Sequence, residues 1–376
     1  MTNPLQQLGE AGQAVWLDFI DRKILETGGL KRLIAEDGLK GVTSNPSIFE
    51  KAIGEGSDYD DRIRGLLAQG VTEAAEVFEH LAISDIRDAA DQLRPVHDAT
   101  NGADGFVSLE VSPYLALDAD GTVTEARRLW RAVGRPNLMV KVPGTEAGYQ
   151  AIRTLVGEGI NINVTLLFAL KAYLAVAEAH IAGLEAFSAG GGDVGKVAGV
   201  ASFFVSRIDT QIDKKIDQRV ADGDKDADRL KALRGKVAIA NAKVAYQEYL
   251  KLIDTPRWKA LAAAGARPQR LLWASTGTKD PAYSDVLYVE NLIGPDTVNT
   301  MPPKTMDAFR DHGRVAETLT QDVPEAERVL AEAERLGLDL EGVTRDLVTD
   351  GVKLFSDAAD KLLAAVRSKL AQRRAG

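Results

Sequence analysis

Residues 137–145 read Asn-Leu-Met-Val-Lys-Val-Pro-Gly-Thr, a pattern that predicts a buried β-strand with one lysine set into it. Side chains alternate along a strand, so Lys141 shares a face with Met139 while the opposite face is apolar throughout. Pro143 and the glycine after it end the strand. Lys141 is therefore expected at the carboxyl end of a buried strand.

A lysine in that position has two interpretations. A buried ammonium is unfavourable unless it is paired, so the side chain is expected to be a neutral amine, which is a nucleophile toward carbonyl carbon. The alternative is a lysine that reaches solvent from an edge strand, or one held in a buried ion pair. For a single lysine the alternative is the more frequent case, so the rest of the chain has to decide between the two.

The apolar runs along the chain alternate with helical patterns. The other predicted strands are residues 14–19, 39–43, 105–111, 160–166, 197–205 and 270–275, and a last one from Thr297 to Met301 in the segment after Asp285. The predicted helices are residues 29–36, 57–93, 124–133, 145–158, 168–187, 208–253, 305–312, 325–336 and 347–374. About eight strand–helix repeats predict an α/β fold, a closed (β/α)8 TIM barrel of parallel strands. A doubly wound open sheet is the competitor, but neither a GxGxxG nor a Walker sequence is present.

We expect residues 1–376 to form a single (β/α)8 barrel domain. A helical insertion is expected at about 57–100, between the second and third strands, and further C-terminal helices at about 304–374 are expected to pack on the barrel. A helix that follows the eighth strand can fold over the mouth of the barrel.

Composition excludes several classes of function. A net charge of −9 disfavours a nucleic-acid-binding surface, although a local basic pocket for a phosphate remains possible in such a chain. The chain has no cysteine, which excludes disulfides, thiolate catalysis and zinc–thiolate sites. Its four histidines are scattered, which argues against a Ser-His-acid triad or a histidine metal site.

The chain also lacks the features of secreted and membrane proteins. Its amino terminus has no signal-peptide pattern, and no apolar run approaches membrane-spanning length. We therefore expect a cytoplasmic protein with neither a nucleic-acid nor a membrane partner. Monomer and homodimer are left open, because the sequence does not distinguish them.

Polar side chains recur on one face near the ends of the predicted strands. They are Asp18 in the first strand, Thr43 and Asn45 at the second, Ser108 and Glu110 in the third, Asn163 and Thr165 in the fifth, Ser202 and then Arg207 at the sixth, and Ser275 at the seventh, with Lys279 beyond it. A parallel strand that is buried on both faces should be apolar on both. Because catalytic groups of a barrel come from the carboxyl ends of its strands, we interpret this set as a functional mouth.

Four of these residues suit covalent catalysis on a ketone. Lys141 would form a Schiff base, Asp18 would take a hydroxyl proton during carbon–carbon cleavage, and Glu110 with Thr165 would hold a water for proton transfer. Two alternatives stay open. Asp18 could cap a helix that begins near Asp21, and Glu110 could merely neutralise Lys141.

The remaining residues suit binding. Asn45 and Asn163 can exchange hydrogen bonds with sugar hydroxyls. Arg207, with Ser275 and Lys279, would form an anion site at the rim, as a phosphate requires. Asn45 could instead be a turn residue before proline, and Arg207 could pair with an aspartate of its own helix.

These residues lie in segments that give the chain a family likeness. It resembles the transaldolases, class I aldolase-type (β/α)8 enzymes of the pentose phosphate pathway. The matching segments are residues 16–18 (WLD), 41–47 (GVTSNPS), 107–111 (VSLEV), 139–143 (MVKVP), 160–168 (ININVTLLF) and 202–207 (SFFVSR). They run in family order from the first strand to the sixth, and the overall length resembles that of the longer bacterial subfamily.

The resemblance implies a role for each matching residue. Lys141 would be the Schiff-base lysine, Asp18 the acid–base group, and Glu110 and Thr165 the pair that positions the catalytic water. The groups implied to contact the dihydroxyacetone part are Asn45, Asn163, Ser108 and Ser202, with Thr43 and Phe204 also in the substrate site, and Arg207 would bind phosphate.

The implied reaction moves a three-carbon dihydroxyacetone unit from sedoheptulose 7-phosphate to glyceraldehyde 3-phosphate, which yields erythrose 4-phosphate and fructose 6-phosphate. No metal or organic cofactor is implied. A fructose 6-phosphate aldolase-like enzyme and a non-catalytic sugar-phosphate-binding barrel are the alternatives.

Three features of the sequence modify this expectation. The usual family pattern after the seventh strand has an arginine close behind a serine, whereas here Ser275 is followed by Lys279, slightly displaced. Asp18 lies in a Trp-Leu-Asp-Phe sequence rather than the Asp-Thr type of many relatives. Phe204 is apolar, as in transaldolases. The related fructose 6-phosphate aldolases tend to have a polar group at this position, so the phenylalanine favours transfer over simple cleavage.

Overall fold

A closed barrel of parallel strands forms the centre of the computed structural model, which describes residues 3–54 and 56–374 of the 376-residue chain. The strands are β1 Gln13–Leu17, β2 Gly41–Val42, β3 Phe106–Glu110, β4 Leu138–Pro143, β5 Ile162–Leu167, β6 Gly199–Phe204, β7 Arg270–Ala274 and β8 Thr297–Met301. Each strand pairs with the next along the chain, and β8 closes the barrel against β1. The predicted (β/α)8 TIM barrel is confirmed.

Helices surround the barrel. They are α1 Pro4–Glu10, α2 Arg22–Glu26, α3 Gly29–Asp37, α4 Pro46–Gly54, α5 Asp60–Ala68, α6 Ala74–Ala99, α7 Ala119–Val133, α8 Glu146–Val156, α9 Leu170–Ala189, α10 Ser206–Ala221, α11 Ala227–Lys231, α12 Val237–Ile253, α13 Pro256–Ala263, α14 Leu287–Glu290, α15 Pro303–His312, α16 Val323–Arg335 and α17 Leu340–Arg374. Two 3₁₀ turns lie at Pro113–Leu115 and Val194–Lys196. No helix in residues 3–54 and 56–374 has both the length and the apolar character needed to cross a membrane.

The predicted helices match in place but differ in extent. The helical pattern at 57–93 forms two helices, α5 and α6, and the pattern at 208–253 forms three, α10 to α12. A turn at 222–226 separates α10 from α11, and in it the Asp224 side chain accepts a hydrogen bond from the Asp226 amide at 2.8 Å. Such side-chain bonds compete with helix formation, so a polar segment can interrupt an otherwise continuous pattern.

Strand β2 is shorter than the predicted residues 39–43, but backbone pairing extends beyond it. The amide of Thr43 still donates to the Leu17 carbonyl at 2.8 Å. Gly41 sits against the indole of Trp16, and a β-carbon at this position would overlap the ring. The barrel interior can therefore hold a fully buried tryptophan because its neighbour on β2 has no side chain.

Strand β5 carries an irregularity that its alternating sequence does not predict. Leu166 has φ of 62°, in the left-handed region, and the register with β6 shifts between Val164 and Leu167. Such a bulge places an extra residue in one strand and redirects the side chains beside it. The strict alternation expected through residue 166 therefore ends at Thr165, where the strand enters the mouth.

A buried ionic network joins α2 to α6. Arg22, whose side chain is 3% exposed, donates to Asp85 at 2.6 Å and to Asp88 at 2.5 Å. The hydroxyl of Tyr59 donates to the other Asp85 oxygen at 2.6 Å. Burial raises the pKa of the Asp85 carboxyl to about 6. The network fixes the helices between the second and third strands to the side of the barrel.

Candidate active site

Lys141 lies in β4, with its side chain pointing into the mouth and only 6% exposed. Its Nζ donates a hydrogen bond to the carbonyl oxygen of Ser44 at 3.1 Å and lies 3.7 Å from Oε2 of Glu110. The ring of Phe355, on α17, has its centroid 5.8 Å from Nζ. The lysine thus has a carbonyl, a carboxylate and an aromatic ring around one nitrogen, which are contributed by three separate parts of the chain.

Glu110 is the residue of β3 that pairs in register with Lys141 of β4. Burial raises the pKa of its carboxyl to about 7; the ammonium of Lys141 opposes this rise and the negative charge of Asp18 adds to it. Neither carboxylate oxygen has a hydrogen-bond partner among the described residues. The side chain can therefore gain or lose a proton near neutral pH, as a general acid–base group requires.

Asp18 follows β1 directly and is half-buried. Its Oδ1 accepts a hydrogen bond from Thr43 Oγ1 at 2.7 Å. The alternative role as a helix cap is wrong, because the cap of α2 is Asp21, whose carboxylate accepts the Ile24 amide at 2.6 Å. The negative charge of Asp18 raises the pKa of both Glu110 and Arg207, so Asp18 lies within electrostatic reach of both.

Three buried polar residues form one hydrogen-bonded row across the floor of the mouth. Asn163 Nδ2 donates to Ser108 Oγ at 2.9 Å, and Ser202 Oγ donates to Asn163 Oδ1 at 2.7 Å. Asn163 pairs in register with Lys141, which places the row beside the lysine. Thr165 lies two residues further along β5, and its buried hydroxyl has no hydrogen-bond partner among the described residues.

Arg207 lies in the first turn of α10, beyond the end of β6. Its guanidinium is 5.1 Å from the centroid of the Phe204 ring, and Phe204 packs in turn on Phe168. Burial lowers the pKa of Arg207 while the charge of Asp18 raises it. A partly buried, ring-stacked guanidinium at a helix amino terminus suits the binding of a phosphate.

The aspartates that follow Arg207 are bonded elsewhere. Asp209 accepts hydrogen bonds from the Ala238 amide at 2.8 Å and from the Tyr288 hydroxyl at 3.0 Å. Asp213 accepts one from the Tyr283 hydroxyl at 2.8 Å. No ion pair joins Arg207 to either of them within the described part of the chain. The guanidinium is therefore available to a ligand.

The two residues expected after β7 lie in different places. Ser275 has φ of 56°, and its Oγ lies 3.0 Å from Ser206 Oγ, at the start of α10 beside Arg207. Lys279 is exposed and lines a cavity beside α10 with residues that follow Arg207 along the helix, among them Asp213 and Asp217. The structure thus places Ser275 against the first residue of α10, while Arg207 does not line the cavity that contains Lys279.

Asn45 has a structural role. Its Oδ1 accepts the amide of Ile48 at 3.0 Å, which caps the first turn of α4. The turn places the carbonyl of the preceding residue, Ser44, against Nζ of Lys141. The Asn45 amide group is still positioned at the carboxyl end of β2, where its Nδ2 can donate.

Sequence reasoning missed three groups of the site. The Ser44 carbonyl lies in a segment that was recognised, but a backbone contact leaves no mark in the side-chain pattern. Phe355 lies in a helix that was predicted, but helical spacing does not say which turn crosses the mouth. Thr300 of β8 also lies in the site, with its Oγ1 2.7 Å from Thr43 Oγ1. In the residues that the structure describes, no three His, Asp or Glu side chains are grouped so that they could hold a metal ion.

Comparisons with known proteins agree with one another. A family model described as "Transaldolase/Fructose-6-phosphate aldolase" matches residues 15–366. A protein named transaldolase from Parafrankia sp. is 49% identical over 371 residues, which cover 98% of this chain and 99% of that protein. Proteins of the same name from Thermobifida fusca (49% over 372 residues, 99% of each chain) and Trichodesmium erythraeum (46% over 376 residues, 98% of each chain) are also similar.

Proposed function

We propose that this chain, which belongs to the transaldolase/fructose-6-phosphate aldolase family, is a transaldolase that acts through a Schiff base on Lys141. The observation that carries the proposal is the position of Nζ, which is buried 3.7 Å from the Glu110 carboxylate and within reach of a ketose that binds at the mouth. The name shared by the relatives supports transfer of a dihydroxyacetone unit.

Imine formation is the first step. Once Nζ of Lys141 has given up a proton, it attacks the carbonyl carbon, C2, of the ketose, and the carbonyl oxygen leaves as water. Glu110, protonated in part at neutral pH because its pKa is about 7, supplies the proton that this oxygen needs. The unpartnered hydroxyl of Thr165 can hold the water that carries the proton between them.

Carbon–carbon cleavage follows. The electron pair of the C3–C4 bond moves into the iminium, which becomes an enamine, while Asp18 accepts the proton of the C4 hydroxyl. The aldose product leaves, and the enamine remains on Lys141. A second aldehyde then accepts the enamine carbon, Asp18 returns its proton to the new hydroxyl, and hydrolysis of the imine releases the new ketose.

Binding groups surround this centre. The row of Ser108, Asn163 and Ser202 meets the hydroxyls of the dihydroxyacetone unit, and Arg207 beside Ser275 meets the phosphate. We propose sedoheptulose 7-phosphate as donor and glyceraldehyde 3-phosphate as acceptor, with erythrose 4-phosphate and fructose 6-phosphate as products. We also propose a cytoplasmic location. We further propose that the barrel and its additional helices act as one domain.

Reductive trapping tests the proposal. Borohydride added in the presence of fructose 6-phosphate should fix a three-carbon or six-carbon adduct on Lys141, which peptide mapping by mass spectrometry locates. Lys243 is the matched control. It is also a buried lysine, but it lies on α12 and donates to the Gln321 carbonyl at 2.8 Å. A Lys141→Ala variant that still transfers the unit would refute the proposal.

The second activity in the family's description, fructose 6-phosphate aldolase, would release free dihydroxyacetone without an acceptor. The apolar Phe204 beside Arg207 favours transfer, because it offers no hydroxyl to deliver water. Formation of free dihydroxyacetone at the same rate with and without an aldehyde acceptor would favour the aldolase. Binding of fructose 6-phosphate with no trapped imine would favour a non-catalytic barrel.

A further inference from the structure

Phe355 is the one aromatic residue whose ring is found against Nζ of Lys141 in the described part of the chain, with 5.8 Å between the nitrogen and the ring centroid. It belongs to α17, which begins well after the barrel is complete, and it is 6% exposed. The other neighbours of Nζ, the Ser44 carbonyl and the Glu110 carboxylate, are polar. The ring therefore forms an apolar wall on one side of the reacting nitrogen.

Close packing on the Leu166 side chain holds α17 in this position. Gly351 lies one helical turn before Phe355, and a β-carbon built on it would be 2.7 Å from Cδ2 of Leu166. Leu166 is the left-handed residue of the β5 bulge and directly follows Thr165. The helix thus packs with its glycine against the side chain at the carboxyl end of β5, and one turn later Phe355 lies over the lysine.

The far end of the helix is also anchored. Nζ of Lys369 donates to Oδ1 of Asp60 at 3.2 Å and to the backbone carbonyl of Gly56. Near the middle of α17, Asp360 accepts the Tyr114 hydroxyl at 2.5 Å. Helix α17 is thus fixed at several points along its length, so its contacts with the rest of the fold determine the position of the Phe355 ring.

We propose that Phe355 determines the fate of the covalent intermediate by keeping water away from it, so that the dihydroxyacetone unit is passed to an aldehyde and not released. This inference rests on the proposed transaldolase function. Release requires a proton on the enamine carbon, which restores the iminium, and then addition of water to C2, after which the C2–N bond breaks and free dihydroxyacetone and the lysine amine result. Hydrolysis at C2 also ends the transfer reaction, so protonation of the enamine carbon is the step that release alone requires. That carbon is bonded to C2 and lies two bonds from Nζ, so a ring that faces Nζ also shields it from water. Exclusion of water from a reactive intermediate is an established use of a closed site.

If the Phe355 ring acts by shielding the intermediate from water, its bulk matters; if it acts by stabilising the positive charge on Nζ, its aromatic face matters. Two variants distinguish these roles. Phe355→Ala removes the bulk and should raise the ratio of dihydroxyacetone release to transfer about tenfold, a change that needs only a small shift in relative barriers. Phe355→Leu keeps an apolar wall without an aromatic face, so the ratio should stay within about twofold of the wild type. Leu354→Ala is the matched control on the same helix, because Leu354 is 54% exposed, and its ratio should not change.

Gly351→Leu gives an independent test that leaves the ring intact. Gly351 is buried against the Leu166 side chain, so a whole leucine side chain there must push α17 away, and the release-to-transfer ratio should rise as it does for Phe355→Ala. Release is measured from fructose 6-phosphate without an acceptor, transfer with an aldose phosphate acceptor, and folding by thermal unfolding of each variant.

The outcomes distinguish a failure of the proposed transaldolase function from a failure of the role proposed for Phe355. If wild-type protein traps no adduct on Lys141, the proposed function fails. If trapping is normal and Phe355→Ala keeps the wild-type ratio, Phe355 does not shield the intermediate and this inference is overturned. Should Phe355→Ala not fold, an unchanged ratio in Gly351→Leu overturns the inference in its place.

Discussion

The Glu110 carboxylate and the Lys141 ammonium are close without being bonded: Oε2 and Nζ lie 3.7 Å apart, and neither Glu110 oxygen has a hydrogen-bond partner among the described residues. A hydrogen bond between these groups would bring the atoms to within about 3.2 Å. At 3.7 Å the two groups still form an ion pair, so Glu110 also balances the charge of Lys141. The observed spacing leaves the carboxylate free to exchange protons with a third group.

Replacement of Glu110 by glutamine should therefore slow catalysis. We expect Glu110→Gln to lower the rate of adduct trapping on Lys141 by about 10²–10⁴-fold, the usual contribution of a general acid–base group. In the wild type, the carboxyl must donate its proton to the departing oxygen, and its pKa is about 7, so the trapping rate should fall as pH rises through 7. The rate should be measured from pH 5 to 9. A glutamine variant that keeps the same inflection would contradict this role.

Arg207 should matter only for phosphorylated substrates. Arg207→Ala is expected to weaken the use of fructose 6-phosphate by about 2–5 kcal/mol in kcat/KM, the range for loss of one partner of a buried charge pair. Cleavage of unphosphorylated fructose should change little, since it places no charge at the rim. Steady-state kinetics on both sugars make the comparison.

Lys279→Ala is the control for that experiment. Lys279 is exposed and lines a cavity that does not include Arg207, so its loss should change kcat/KM by less than about twofold, as for other surface substitutions. A large loss specific to phosphorylated sugars in Lys279→Ala would show that the lysine reaches the substrate phosphate after all.

The network around Arg22 should be important for stability. Arg22→Ala leaves Asp85 buried without its cation, and breaking such a pair costs about 3–5 kcal/mol in the free energy of unfolding. Arg257 is the matched control, because it pairs with Glu178 and Glu185 while 42% exposed, and its replacement by alanine should cost about 1 kcal/mol or less. Urea titrations at pH 7 give both values. Equal losses for the two variants would show that burial does not distinguish the pairs.

His180 should make the protein sensitive to acid. It is fully buried, both ring nitrogens lack a hydrogen-bond partner among the described residues, and burial lowers its pKa to about 4. The unfolded chain takes up this proton near pH 6.5 and the folded chain only near pH 4. Stability is therefore lost as pH falls from 6.5 toward 4. We expect His180→Leu to lose less stability than the wild type between pH 7 and pH 5, as measured by urea titration.

Strands and their polar faces could be predicted because local signals determine them. The alternation of Asn163 and Thr165 with apolar residues is a period of two that needs no knowledge of neighbours, and proline or glycine marks the ends. Pairing of consecutive parallel strands then brings Lys141 beside both Glu110 and Asn163. Closure of the barrel is a consequence of the number of repeats.

Contacts that depend on packing could not be predicted in this way. The left-handed backbone of Leu166 arises where β5 meets α17, and nothing in residues 160–167 signals it. Lys279 is four residues from Ser275, yet it is exposed and lines a cavity that does not include Arg207. Phe355 is separated from Lys141 by more than half of the chain, and only the angle of α17 across the mouth brings the two together.

The row from Ser202 through Asn163 to Ser108 also has a direction. Ser202 gives its only hydroxyl proton to the Asn163 oxygen, which leaves its lone pairs to accept, whereas Ser108 receives the Asn163 amide and keeps its own proton to give. Two serines of identical chemistry thereby become opposites, one an acceptor and the other a donor. A sugar that meets them must offer a hydroxyl hydrogen to one and an oxygen lone pair to the other, so the floor of the mouth distinguishes one end of the three-carbon fragment from the other before any bond is made.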